Sequence, residues 1–131
     1  MERQIVNPWT WQDQFGFVQG NLVSGASRWM LCAGQLSVDP ESVPLHPGDM
    51  SAQIELALDN LGEVLKGAGF TLADVVRLNY YTTDMDAFIA AGPTLGRRLA
   101  EGHCRPASTL LGVARLAIPG CMIEIEATAA G

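Results

Sequence analysis

Between Pro47 and Gly69, Met50, Ile54, Ala57, Leu61 and Val64 recur at steps of four and three, with Leu65 alongside. That spacing puts them on one stripe and predicts an amphipathic helix. Asp49 stands in its first turn, Lys66 in its last, and Gly67 and Gly69 supply the stop; each matches the sign of the helix dipole or the need for a permissive C-terminus. Asp74 to Thr83 is rich in β-branched and aromatic residues and predicts a strand. Asp84 is placed to cap a turn over Met85 to Ala91. Pro93 suits the first position of a second helix, running to about Glu101, because proline lacks the N–H that a helix start leaves unpaired. Ala107 to Leu116 and Cys121 to Ala129 read as two strands joined by a turn at Ile118-Pro119-Gly120. Upstream, Trp29 to Gln35 reads as a mostly buried strand, Phe15 to Gly20 and Leu22-Val23 as shorter extended pieces, and Pro40 to Gly48 as a loop.

The alternation in the last strand carries the most information. Ile123, Ile125 and Ala127 face one way, while Met122, Glu124 and Glu126 face the other. The isoleucine face belongs against the helices. The other face presents two carboxylates. The order of elements predicts an α/β fold, one mixed β-sheet with two helices packed on one face, formed by residues 1–131 as a single domain. The second face of the sheet is then half wet unless a second subunit covers it. Leu110, Ala114 and Met122 are assigned to that face and favour coverage.

Charge and cysteine content narrow the function. The chain has 131 residues, of which 48% are hydrophobic and 17% charged, enough apolar content to build a core. A net charge of −6 with one lysine, and no cluster of arginines beyond Arg97-Arg98, is a poor footprint for nucleic acid or an anionic membrane. No apolar run reaches the roughly 18 residues of a membrane span. The first residues lead into no secretory signal, so a cytoplasmic location is expected. Three cysteines, Cys32, Cys104 and Cys121, give no disulfide framework, and with His46 and His103 they make no metal-ligand spacing. No metal and no cofactor is expected.

A series of short segments resembles the RidA/YjgF family. They are Phe17-Val18-Gln19-Gly20, Ala33-Gly34-Gln35, Gln53 with Leu58-Asp59-Asn60-Leu61, Ala68-Gly69, Asp74-Val75-Val76 and Tyr81-Thr82-Thr83-Asp84. Pro106-Ala107, Val113-Ala114-Arg115-Leu116 and Ile123-Glu124-Ile125-Glu126-Ala127 complete the series. No one segment is specific; their order from Gly16 to Ala127 is. The resemblance implies a chorismate-mutase-like fold and a homotrimer with a small-molecule pocket in each interface. It also implies cofactor-free hydrolysis of enamine or imine metabolites to keto compounds and ammonia.

The resemblance departs at the chemistry. The deaminating members carry an arginine two residues after the proline of the penultimate strand, where it holds the substrate carboxylate. Here that position is Ser108. Arg105 precedes the proline and is not its equivalent, though it could swing in from its loop. A pocket tyrosine corresponds to Phe17, a serine to Ala33, an asparagine to the neighbourhood of Gly92, and a cysteine to Leu110. The acidic residue is kept as Glu124, and the resemblance implies that it orients or activates water. Arginine binds a carboxylate through two charge-assisted hydrogen bonds that serine cannot supply, so 2-imino acids are expected to be poor substrates. Two functions remain open. One is deamination or tautomerisation of a small imine, enamine or related carbonyl compound through Glu124. The other is a non-catalytic trimer that binds a metabolite or a partner protein.

Overall fold

The computed structural model describes residues 1–131. Strands β1 (Glu2–Val6) and β2 (Gly20–Ser24) form an antiparallel ribbon, separated by a short 3-10 turn at Trp11–Phe15. Strands β3 (Trp29–Leu31) and β4 (Gln35–Leu36) precede helix α1 (Met50–Lys66). Then come β5 (Val75–Thr82), helices α2 (Met85–Ala90) and α3 (Gly92–Glu101), β6 (Ala107–Gly112) and β7 (Ile123–Ala130). The main sheet is mixed and runs β3-β7-β5-β6, with β4 also pairing β7. Strand β7 therefore lies in the middle of the sheet, antiparallel to its neighbours on both sides, and β5 and β6 are parallel.

In the predicted stripe of α1, Met50, Ile54, Ala57, Leu61 and Leu65 are buried and Val64 is half-buried, and Leu58, outside the predicted stripe, is buried as well. They pack on Leu78 of β5 and on Ile123, Ile125, Ala127 and Ala129 of β7. Asp49 and Asp84 cap α1 and α2, each accepting a backbone N–H three residues on, at 3.0 Å. Pro93 sits in the first turn of α3. Glu55 on α1 ties α3 to it through Arg97 and Arg98, and Asp59 adds a second contact to Arg98 at 2.8 Å.

Four expectations change. Trp29 to Gln35 is not one buried strand: it breaks between β3 and β4, and Leu31 is 81% exposed because it pairs with Thr128 on the sheet face turned away from the helices. The last two strands are not neighbours joined by a turn. β6 pairs with β5, a parallel partner reached through the α2–α3 crossover, and β5 separates it from β7. The helical layer has three helices rather than two, since the turn after Asp84 closes into α2. Leu110 does not lie on the wet face. Its register partner is Tyr80, on the helix side, and both Leu110 and Met122 pack against the core. The β1–β2 ribbon lies outside the main sheet. Arg3 fastens it by donating to the carbonyl oxygens of Ala73, Val75 and Arg105 at 2.8–3.2 Å.

Candidate functional site

The sheet face turned away from the helices is built from alternate residues of β5 and β7. Register pairs Tyr81 with Glu124 and Asn79 with Glu126, so all four side chains share that face. Glu126 accepts from the Tyr81 hydroxyl at 2.5 Å and from the Asn79 side-chain amide at 3.0 Å. The Tyr81 hydrogen bond, and behind it that of Asn79, holds the Glu126 carboxyl below the usual carboxylate range. The same contact holds the Tyr81 phenol above its usual value and keeps it a donor.

Glu124 has no such partners. Its carboxylate reaches across Gly34, where any Cβ would collide with it. Gly34 is therefore needed for close approach rather than for an unusual backbone angle. Burial, and then the charge of Glu126, push the Glu124 carboxyl up. Two carboxylates on one strand thus have their affinities for protons driven apart, Glu126 toward a fixed anion and Glu124 toward a group that can hold a proton.

The other predicted site residues are dispersed over the chain. Ala33 is exposed beside Gly34, near Glu124. Ser108 and Leu110 pair with Leu78 and Tyr80 and so face the helix side of the edge strand β6. Gly92 opens α3, with no atom within 4 Å of where its Cβ would be. Phe17 and Arg105 line one cleft together with Asp13 and His103. Phe17 packs against Trp11 and Phe15, with ring centroids 5.7 and 6.4 Å away.

Sequence reasoning did not find Tyr81 and Asn79 as partners of Glu126, and it assigned no role to Gly34 beyond its motif. The pairing is a matter of cross-strand register over more than 40 residues. The available hint was the tyrosine and asparagine alternating in β5.

A mixed sheet with helices on one face and an acid pair on the other defines a small α/β protein with a polar, partly buried sheet face. The family model described as Endoribonuclease L-PSP matches residues 16–131. A RutC family protein of Pyrococcus horikoshii is 32% identical over 104 residues, 79% of this chain and 80% of that protein. The rat 2-iminobutanoate/2-iminopropanoate deaminase is 35% identical over 102 residues, 78% and 72% of the two chains. The crystal structure of YyfB from Yersinia pestis, of the conserved Rid protein family, superposes with a TM-score of 0.87 at 36% identity and full coverage of both chains. The chain belongs to the RidA/YjgF family and has its chorismate-mutase-like fold.

Proposed function

We propose that the protein is a cytoplasmic, cofactor-free hydrolase or tautomerase of small enamines or imines, acting as a homotrimer in pockets that two copies complete. The observation that carries this is Glu124, an acid lifted toward protonation beside an anion fixed by Tyr81 and Asn79. The rat deaminase among its relatives supports the imine class. The scatter of Phe17, Ala33, Gly92, Arg105, Ser108 and Leu110 over one protomer supports a pocket shared between copies.

In hydrolysis, water adds to the carbon of the C=N bond as Glu124 takes one of its protons, and the nitrogen is protonated in turn. The resulting carbinolamine then collapses, releasing ammonia and leaving a C=O group. A carboxyl whose hold on a proton is raised by burial can take the proton and return it, and so serves both steps. An apolar lining from Phe17 and Ala33, with Ser108 in place of an arginine clamp, favours neutral substrates over anions, because an unpaired buried charge is costly.

The test couples an aminoacrylate-generating enzyme, and in parallel a neutral cyclic imine, to ammonia detection. Turnover of the neutral imine should exceed that of aminoacrylate. Glu124→Gln should lower it by roughly 10²–10⁴-fold, while sedimentation still gives a trimer. Equal turnover of aminoacrylate would point to Arg105 as a substitute clamp, and Arg105→Ala would then abolish it. Ser108 at the clamp position also favours a second reading, a non-catalytic trimeric binding module. Unchanged turnover in Glu124→Gln, or none in the parent chain, would put that reading first.

A further inference from the structure

Five of the seven arginines have partners within the chain. Arg3 donates to backbone carbonyls and to Asn21. Arg28 holds the Ala68 carbonyl and lies over the Phe70 ring, and Arg77 donates to Thr109. Arg97 and Arg98 are paired with Glu55, Glu101 and Asp59. Arg105 and Arg115 remain, and neither guanidinium donates to any group of the chain. Each lines one of the two principal clefts. The clefts differ in one respect that decides between them. Arg105 shares its cleft with the carboxylate of Asp13. The cleft of Arg115, about 570 Å³ in volume, has no carboxylate in its lining.

That second cleft lies between Pro47-Gly48, Thr83 and the segment Arg115 to Met122. The two acids nearest in sequence to its walls are engaged elsewhere: Asp49 caps α1 and Asp84 caps α2. Thr83 offers a hydroxyl that makes no hydrogen bond within the chain. The backbone N–H groups from Leu116 to Ile118, and that of Gly120, donate to no acceptor within it either. Leu116, Ile118, Pro119 and Met122 contribute apolar wall. One wall is fixed: the buried Gln53 side chain donates to the Gly120 carbonyl and accepts from the Met122 N–H, both at 2.8 Å.

We infer that this cleft binds a small organic carboxylate with a short apolar body, its carboxylate on the Arg115 guanidinium and the Thr83 hydroxyl. A guanidinium fork matches a carboxylate, with two parallel charge-assisted bonds. In a chain of net charge −6, a cleft that carries an arginine and no acid in its lining is suited to an anion. The apolar wall selects an organic acid over an inorganic oxyanion. The cleft shares no residue with the Glu124 cluster, so the inference does not depend on the hydrolysis reading.

The test is titration of the ¹⁵N-labelled, assembled protein with butanoate, with methyl butanoate and with inorganic phosphate, followed by NMR and calorimetry. Butanoate should give saturable shifts at Gly48, Thr83 and Arg115 to Met122. Arg115→Gln should weaken it by roughly 10- to 100-fold, and Thr83→Val by roughly three- to tenfold, with unchanged thermal melts. Methyl butanoate and phosphate should bind more weakly than butanoate. Saturable shifts confined to the Phe17 and Arg105 cleft, no saturable shifts at all, equal affinity for phosphate, or full affinity in Arg115→Gln would each overturn the assignment.

Discussion

The two faces of β7 share one backbone and do opposite work. On the helix side Ile123, Ile125, Ala127 and Ala129 are 0–4% exposed and pack in the apolar core. On the other side, one residue away each time, Glu124 and Glu126 stand in a polar row with Tyr81 and Asn79. The first face stabilises by removing apolar area from water; the second holds charges in a setting that perturbs them. The strand thus fixes the position of the acids with the residues that carry none of the chemistry. Glu124 is only as well placed as Ile123 and Ile125 are packed.

Substitutions on the two faces should therefore separate. Ile125→Ala, on the helix side, should cost about 2–5 kcal/mol in denaturant unfolding, and it should loosen the acid face without touching it. Gly34→Ala, opposite Glu124, should cost about 1 kcal/mol or less, because the flexible Glu124 side chain can swing away from the new methyl. In it the Glu124 carboxylate is displaced from Gly34, so the loss of activity should exceed the loss of stability. The smallest effect is electrostatic. Glu124 has a raised folded-state pKa, so its protonated form is the one folding favours. Stability from that preference is full below the ordinary glutamate value and is lost as pH rises through the folded value. Glu124→Gln should accordingly melt higher than the parent at neutral pH by a fraction of ~1 kcal/mol, and the gap should close in acid. Glu126, lowered by Tyr81, has the opposite sign, and Glu126→Gln should melt lower at neutral pH with the difference vanishing in acid. A gap of the same sign for both variants would show that the two carboxylates are not differentiated.

The helices and the acid face were legible because their cues are local. The stripe from Met50 to Leu65, the aspartates at 49 and 84, Pro93, and the alternation from Ile123 to Ala127 each need no knowledge of the rest of the chain. The misread features depend on pairing across the chain. Nothing in Ala107 to Gly112 says that its neighbour is β5 rather than β7, and Leu110 takes its side of the sheet from that choice. The β1–β2 ribbon depends likewise on Arg3 reaching carbonyls 70 to 102 residues away. The site residues carried over from the family resemblance fall on several separate elements of the chain, which no local pattern reveals.

The central position of β7 has a consequence for the order of events at the ribosome. β3, β4 and β5 all take hydrogen bonds from a strand that is synthesised after every one of them. Until Ile123 to Ala130 have cleared the exit tunnel, β3 and β4 have no partner in the main sheet and the buried face of α1 has only half its floor. At ~5–20 residues per second, α1 spends several seconds with its leucines uncovered. The main sheet is thus completed only once β7 has been made. A ribosome stalled before Ile123 would present a nascent chain that chaperones hold, whereas one stalled after Gly131, with a tunnel-length extension, would present a folded domain.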